Sequence, residues 1–280
     1  MNGRVCVVTG ATHGIGLASA RALAALGATV LVHGRDLTRA RAVAEDIGRA
    51  AGNSEVRAVQ ADFAHLTQVR RLAQELTDSL PRIDVLINNA GLLNVSRAVS
   101  ADGYELTLAV NHLAPFLLTN LLLAKLKSSA PARIIVVASE AHRRARLDFH
   151  DLMSNGASGW AAYGRSKLAN LLFSQALAAR LGGTGVTVNA LHPGVVASNL
   201  FHPAPPLLRA LLASVGRLFM RSPAQGARTS VYLASAPEVA DRTGGYYVDC
   251  RLVAPSRAAQ SAADAARLWQ ESARLTGLAA

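Results

Sequence analysis

The stretch Thr9-Gly10-Ala11-Thr12-His13-Gly14-Ile15-Gly16 follows an apolar, β-branched run and precedes an apolar helical pattern. A strand, a glycine-rich turn and a helix in this order predict a binding site for a pyrophosphate. Glycines let the backbone approach the phosphates, and the helix N-terminus presents unpaired N–H groups and a positive dipole. An ordinary strand-to-helix turn needs one glycine but rarely three at this spacing. The lack of a Gly-Lys-Ser/Thr ending argues against a nucleoside-triphosphate P-loop.

Strand and helix patterns alternate along the rest of the chain. This alternation predicts one domain over residues 1–280, an α/β fold with a Rossmann-type doubly wound parallel sheet and helices on both faces. Ligands bind such sheets at the carboxyl ends of the strands. The predicted strands are 4–8, 28–33, 56–60, 83–87, 133–138, 186–191 and 246–249, and the predicted helices are 17–26, 37–50, 65–80, 101–127, 160–181, 223–234 and 257–278.

Composition excludes several classes of protein. Hydrophobic residues make up 51% and charged residues 17%, which indicates a sizeable core rather than disorder. No apolar run is long enough to span a membrane, and the first strand begins too early for a signal peptide or anchor. Cys6 and Cys250 lie far apart without metal-ligand spacing. We therefore expect a cytoplasmic protein with no disulfide and no metal site.

The net charge of +11 raises the question of nucleic-acid binding. The arginines are scattered, however, and aromatic residues are only 5%, too few for a stacking surface. Arg143, Arg144 and Arg146 form a tight cluster that fits a solvated loop as well as phosphate binding. We expect no nucleic-acid partner, and interpret the charge as attraction for an anionic cofactor or a membrane surface.

The end of the second strand predicts which nicotinamide cofactor binds. An acid at this point holds the adenosine ribose of NAD, but Gly34 stands there and Arg35 follows. A small residue and a guanidinium suit a 2′-phosphate, which favours NADP(H). Asp36 is expected to cap the next helix. His13 either contacts that phosphate or is only a turn residue.

Polar residues also stand at the ends of the third and fourth strands. Asp62 and Phe63 lie where an adenine ring is expected, although Asp62 could instead cap the following helix. Small residues in Asn88-Asn89-Ala90-Gly91 leave space for a ribose, and the asparagines can bridge neighbouring strands. Asn111 stands among apolar residues, and a buried Asn needs hydrogen bonds. It is either a structural bridge or part of a polar relay.

The stretch Trp160-Ala-Ala-Tyr163-Gly-Arg-Ser-Lys167-Leu-Ala-Asn170 carries a candidate proton donor. Tyr163 and Lys167 share one face of a helix, since they are four residues apart. A free phenol has a pKa near 10, and a neighbouring cation lowers it toward neutrality. Such a pair on a helix is usually a surface coincidence, so the prediction depends on the cofactor site found elsewhere in the chain.

Residues 198–222 interrupt the alternation of strands and helices. Three prolines precede an apolar, arginine-flanked stretch over 207–220. We interpret it as a helical flap over the cleft, whose apolar face indicates a lipophilic substrate. The alternative is an interfacial helix that makes a weak peripheral contact with a membrane.

Taken together, these motifs resemble the short-chain dehydrogenase/reductase family over nearly the full length. The motifs are Thr9-Gly-X-X-X-Gly-Ile-Gly16, Asn88-Asn-Ala-Gly91, Asn111, Ser139, Tyr163-X-X-X-Lys167 and Pro193-Gly194. Within the family the chain looks most like the retinol dehydrogenase branch. The phrases that carry this likeness are Asn111-His-Leu-Ala-Pro-Phe-Leu-Leu-Thr-Asn120, Ser166-Lys-Leu-Ala-Asn170, Leu191-His-Pro-Gly194 and Arg267-Leu-Trp269.

The resemblance implies a hydride transfer between NADP(H) and a carbonyl or alcohol of a lipophilic small molecule. Tyr163 would be the general acid in reduction, and Ser139 would hydrogen-bond the same carbonyl oxygen. Lys167 would hold the ribose hydroxyls and lower the pKa of Tyr163, and Asn111 would complete a proton relay. The alternative is a non-catalytic NADP(H)-binding sensor on the same fold, against which this intact set of four residues argues.

The resemblance also implies the remaining cofactor contacts and a subunit interface. Val196 and Ser198 would face the nicotinamide carboxamide, although the family usually has Thr where Ser198 stands. Helices 101–127 and 160–181 commonly pair between family subunits, so a homodimer or homotetramer is expected. The loop between Ser139 and Tyr163 diverges from the family, so substrate identity does not carry over. The full cofactor set is Gly10, Thr12, His13, Gly14, Ile15, Gly16, Arg35, Asp62, Phe63, Asn89, Ala90, Gly91, Tyr163, Lys167, Pro193, Gly194, Val196 and Ser198.

Overall fold

The structure is a computed structural model that describes residues 1–196 and 221–278. Its strands form one sheet in the order β3-β2-β1-β4-β5-β6-β7-β8. Strands β1 to β7 are parallel, and β8 is antiparallel to β7. The predicted doubly wound sheet is confirmed, with the short edge strand β8 as an addition. The strands are β1 (Val5–Val8), β2 (Thr29–Gly34), β3 (Val56–Gln60), β4 (Val85–Asn88), β5 (Ala132–Val137), β6 (Val186–His192), β7 (Tyr246–Val248) and β8 (Arg251–Leu252).

Helices cover both faces of this sheet. Helices α1, α2 and α8 pack into the core on one face, and α3, α5, α7 and α9 pack into the core on the other. The strand order reverses between β1 and β4, so a cleft opens where their carboxyl ends separate. The helices are α1 (Gly14–Ala25), α2 (Leu37–Ala51), α3 (Leu66–Ser79), α4 (Leu106–Leu108), α5 (Ala114–Leu121), α6 (Leu123–Ser128), α7 (Gly159–Arg180), α8 (Pro223–Ser235) and α9 (Ala262–Thr276).

The helix predicted over 101–127 begins later and is interrupted. Residues up to Tyr104 form a turn closed by a hydrogen bond from Ser100 N to Tyr104 O. Glu105 then caps α4, because its carboxylate accepts from the N–H groups of Thr107 and Leu108. A π-helical turn follows over Ala109–Leu113 before α5 begins. It carries Asn111, and such turns are frequent at functional sites.

Helix α9 forms an outer layer over α5 and α7. The Trp269 ring packs against Phe116 and Phe173, with centroid distances of 5.0 and 6.0 Å, and the Arg180 guanidinium lies 4.0 Å from its centroid. This helix was predicted over 257–278. It begins later, at Ala262, because a 3-10 turn occupies Ala258–Gln260. Parts of α5 and α7, two helices through which subunits were expected to pair, are therefore covered by α9 of the same chain.

Two further sequence predictions concern the surface. No helix among residues 1–196 and 221–278 is long and apolar enough to cross a membrane. The predicted flap over 198–222 lies outside the described residues except at its end, Arg221 and Ser222.

Candidate active site

The glycine-rich turn after β1 is closely packed. Gly10 and Gly14 have φ values of +63° and +57°, which favour glycine. A Cβ on Gly10 would lie 2.8 Å from Ala90 Cα, and one on Gly16 would collide with the carbonyl oxygen of Gly10. Helix α1 begins at Gly14, and the side chain of its N-cap residue, His13, makes no capping hydrogen bond. These features fit a turn whose N–H groups face a phosphate.

Asn89 and Thr9 join the ends of β4 and β1, as predicted for the asparagines. The Asn89 amide donates to the carbonyl oxygens of Thr9 at 2.7 Å and Gly10 at 3.1 Å. The Thr9 hydroxyl accepts from the N–H groups of Asn89 and Ala90 at 2.9 and 3.0 Å. The two sides of the cleft are therefore held together at its base.

His33, the penultimate residue of β2, supports the same turn and is a contact that the sequence pattern missed. Its Nδ1 accepts from Gly10 N–H at 3.1 Å, and its Nε2 lies 3.0 Å from the carbonyl oxygen of Ala61. The proton must therefore sit on Nε2, which donates to Ala61. The ring stacks on Phe63 at 4.5 Å, and burial lowers the pKa of His33 to about 4.

At the adenosine end of the cleft, a side chain at position 34 would fit only if Thr12 moved. A Cβ on Gly34 would lie 2.5 Å from Thr12 Cγ2. Arg35 and Arg39 are exposed, with no carboxylate partner in an ion pair among the described residues. Burial lowers the pKa of His13, and the positive charges of Arg39 and Arg35 lower it further. His13, Arg35 and Arg39 therefore lie in one electropositive region.

The two nearby aspartates have different roles. Asp36 caps α2 as predicted, since its Oδ1 accepts from Arg39 N–H at 3.0 Å. Asp62 does not cap α3, and that alternative is wrong. Its Oδ1 accepts from Ala64 N–H, while Asp102 accepts from Leu66 N–H at the start of α3. Asp62 thus stays at the end of β3, where a contact with adenine was predicted.

The four predicted catalytic residues lie close together at the carboxyl ends of β4 and β5. The Ser139 hydroxyl lies close enough to the Tyr163 phenol to lower its pKa. Lys167 Nζ donates to the carbonyl oxygen of Val137 at 2.9 Å and lies 5.6 Å from the centroid of the Tyr163 ring. A Cβ on Gly91 would lie 3.3 Å from Asn111 Oδ1 and 3.4 Å from Lys167 Nζ, so both side chains converge beside Gly91.

Asn111 is a structural bridge, one of the two roles that its burial predicted. Its Oδ1 accepts from Leu92 N–H at 2.8 Å, and its Nδ2 donates to Leu92 O at 2.9 Å and to Ser166 Oγ at 3.0 Å. These bonds connect the loop after β4 to α7. They hold the π turn, Gly91 and the Tyr163 helix in fixed relation.

The pKa of Tyr163 moves in the direction opposite to the one expected. Burial raises it, and the hydrogen bond from Ser139 opposes that effect. Burial lowers the pKa of Lys167 to about 8. At neutral pH Tyr163 therefore holds its proton and Lys167 is mostly charged. This is the protonation state in which a phenol can act as an acid.

Three predicted cofactor contacts, Ile15, Pro193 and Val196, lie close together where the nicotinamide is expected. A Cβ on Gly226 of α8 would lie 2.6 Å from Val196 Cγ2, 3.2 Å from Ile15 Cγ1 and 3.5 Å from Pro193 O. Gly226, which the sequence pattern missed, lets α8 approach this point. Gly194 has a φ of +85° and packs under Arg221. Ser198 lies outside the described residues.

Comparison with known proteins identifies the family and the fold. A family model described as short chain dehydrogenase matches residues 4–206. The chain belongs to the short chain dehydrogenase family. It is 42% identical to human retinol dehydrogenase 14 over 294 residues, which cover 99% of this chain and 88% of that protein. The likeness to the retinol dehydrogenase branch is therefore confirmed.

Solved structures support the same conclusion for this short chain dehydrogenase. An uncharacterised protein from Mycobacterium paratuberculosis superposes with a TM-score of 0.79 and 34% identity, over 99% of this chain and 94% of that one. The RhlG/NADP complex from Pseudomonas aeruginosa superposes with a TM-score of 0.71 and 30% identity, over 88% and 94% of the two chains. The protein is thus a nicotinamide-dependent oxidoreductase, of a family that acts on CH–OH groups.

Proposed function

We propose that this short chain dehydrogenase uses NADPH to reduce an apolar aldehyde or ketone, and oxidises the matching alcohol in reverse. The observation that carries the proposal is the arrangement of Ser139, Tyr163 and Lys167. A protonated phenol lies beside the hydroxyl of Ser139, and the buried ammonium of Lys167 lies 5.6 Å from the centroid of the phenol ring. A sensor that only binds the cofactor has no need of this arrangement.

The bound nicotinamide supplies the hydride, and the protein supplies the proton and the stabilisation of charge. Tyr163 donates its proton to the carbonyl oxygen of the substrate. The Ser139 hydroxyl donates a hydrogen bond to the same oxygen as negative charge develops on it. Lys167 holds the ribose hydroxyls, and its positive charge favours the phenolate that Tyr163 leaves behind. Asn111 fixes the position of α7 and completes the proton path to Lys167.

The preference for NADPH is supported by the adenosine end of the cleft. Thr12 occupies the space that an acid at position 34 would need, so the ribose-binding carboxylate of NAD enzymes would displace it. Arg35 just after the end of β2 and Arg39 in the first turn of α2 supply positive charge, which suits a 2′-phosphate. RhlG, at 30% identity, is a relative whose structure contains NADP.

An apolar substrate is supported by the surface beside the catalytic residues. Val95, Trp160 and Val195 are 56%, 54% and 60% exposed. Val95 lies against Gly159, the residue before Trp160, because a Cβ on Gly159 would lie 2.9 Å from Val95 Cα. Trp160 precedes Tyr163 by one helical turn, and Val195 follows the Pro193-Gly194 turn. Exposed apolar groups on segments next to catalytic residues favour a binding surface for an apolar molecule.

The test is NADPH consumption, followed by absorbance, with aldehydes and ketones of rising lipophilicity and with NADH in parallel. We expect turnover with NADPH that increases with the apolar character of the carbonyl. Equal rates with NADH would overturn the cofactor assignment. A preference for charged or sugar-like carbonyls would overturn the substrate class. NADPH binding without turnover of any carbonyl would favour the sensor.

A further inference from the structure

Ser139 is followed by a 3-10 turn, Glu140–Arg144, that contacts the C-terminal part of the chain. The His142 ring is fully buried. Its Nδ1 lies 2.6 Å from the carbonyl oxygen of Ser139, and its Nε2 lies 3.1 Å from the N–H of Ser256. An N–H can only donate, so Nε2 accepts and the proton sits on Nδ1. The ring is therefore neutral, and it bridges Ser139 and Ser256.

Glu140 attaches the same turn to the sheet. Its carboxylate accepts from the Tyr246 hydroxyl at 2.9 Å and from Arg143, and its N–H donates to His192 Nδ1 at 3.3 Å. The Tyr246 ring meets the His142 ring edge-on, with a centroid distance of 5.3 Å. Two of the three residues after Ser139 are thus fixed to segments that lie far from it in sequence.

We propose that His142 is a positioning residue for Ser139. By holding the Ser139 carbonyl, the ring fixes the backbone from which the Ser139 hydroxyl reaches Tyr163. The inference rests on the proposed role of Ser139 in the reaction. Ser256, which completes the bridge, and Tyr246, which binds Glu140, lie beyond residues 4–206, the range that the family model matches. The segment before α9 is therefore part of the active-site framework of this chain.

Two amide substitutions separate the two ends of the bridge. The side-chain amide of Asn reaches about as far as the ring Nδ1, whereas that of Gln reaches about as far as Nε2. His142→Asn therefore keeps a donor for the Ser139 carbonyl and loses Ser256. His142→Gln keeps an acceptor for Ser256 and loses Ser139. If His142 only stabilised the fold, the loss of activity in each variant would follow the decrease in its melting temperature.

Activity is measured with NADPH and a carbonyl that the wild type reduces. We expect His142→Gln to lower kcat about tenfold or more with little change in KM for NADPH, a loss below the roughly 10²-fold cost of removing an oxyanion donor outright. His142→Asn is expected to stay within about threefold, because the bond to Ser139 is retained. In a Ser139→Ala background His142→Gln should cost nothing further, since effects on one interaction are not additive. Equal losses in both variants, or full additivity with Ser139→Ala, would overturn the proposal.

A second measurement needs neither substrate nor a variant that folds. Nitrogen-15 NMR of the wild-type histidines distinguishes the two neutral tautomers of imidazole. We expect His142 to be the Nδ1–H tautomer at neutral pH. An Nε2–H tautomer would show that the ring does not donate to Ser139 and would overturn the proposal. Absence of turnover by the wild type would instead count against the proposed function alone.

Discussion

The methyl group of Thr12 fills the space into which a side chain at Gly34 would project, with Cγ2 2.5 Å from a Cβ built there. An aspartate at position 34 therefore needs Thr12 to be smaller. We expect Gly34→Asp alone to weaken both cofactors, because its side chain would displace the phosphate-binding turn. In the double variant Gly34→Asp, Thr12→Ala, we expect kcat/KM with NADPH divided by kcat/KM with NADH to fall about tenfold or more. An unchanged ratio would contradict this account of selectivity.

Arg35 and Arg39 are expected to bind the 2′-phosphate. Loss of a charge-assisted hydrogen bond costs roughly 1.5–3 kcal/mol, so each alanine variant should raise the Kd of NADPH about tenfold or more. The Kd of NADH should change by less than about threefold, since NADH has no 2′-phosphate. Titration calorimetry gives both values. Arg41→Ala is the matched control, because Arg41 is also exposed on α2, and it should leave both affinities unchanged.

His33 and His112 predict a loss of stability in acid. Burial lowers the pKa of each to about 4 from an ordinary value of 6.5. Between those values the unfolded chain binds more protons than the folded protein, so stability falls as the pH falls. From pH 7 to pH 5 each histidine should lower the free energy of unfolding by about 2 kcal/mol. Urea unfolding at the two pH values measures the change, and His112→Asn should make it smaller. A pH-independent free energy would contradict the buried neutral rings.

Substitution of Trp269 tests how much α9 contributes to the stability of the fold. Its ring packs on Phe116 and Phe173, which are 1% and 2% exposed. Trp269→Ala should lower the free energy of unfolding by about 2–3 kcal/mol. This is near the lower end of the range for aromatic-to-alanine changes, because Trp269 is only partly buried. Trp160→Ala, at a 54% exposed position, is the control and should cost less. Equal costs in denaturant unfolding would show that α9 is not an integral layer.

The same helix bears on the state of association. Since α9 covers the parts of α5 and α7 around Phe116 and Phe173, subunits could pair through those parts only if α9 moved. Sedimentation of the intact chain, followed by cross-linking of any oligomer, should show no pairing through those parts. A dimer in which cross-links join α7 of both subunits would contradict the packing of α9.

Elements with a strong local pattern were predicted well from the sequence. The third strand, Val56–Gln60, has the predicted bounds, and Asp36 caps α2 as expected. The start of the helix predicted at Ala101 was wrong, because the cap at Glu105 and the turn at Ser100 depend on side-chain bonds that periodicity does not contain. The edge strand Arg251–Leu252 is too short to give any alternating pattern.

Some residues of the candidate site could likewise be predicted from the sequence, and others could not. Residues in recognisable motifs, such as Tyr163 and Lys167, could be named from spacing. His33 and His142 could not, because their roles come from carbonyl and N–H groups of distant segments that only the fold brings to them. The pKa of Tyr163 was predicted in the wrong direction for a related reason. The neighbouring cation was visible in the sequence, but the burial that dominates was not.

The most direct test of the central claim is the kcat for NADPH-dependent carbonyl reduction in Tyr163→Phe beside the wild type. Loss of a general acid typically costs 10²–10⁴-fold, so we expect kcat to fall by roughly that factor while the Kd of NADPH stays within about threefold. Tyr104→Phe is the matched control, because it removes a phenol bonded to Leu275 O outside the site and should leave kcat unchanged. A Tyr163→Phe variant that turns over at the wild-type rate would contradict the assignment of Tyr163 as the proton donor.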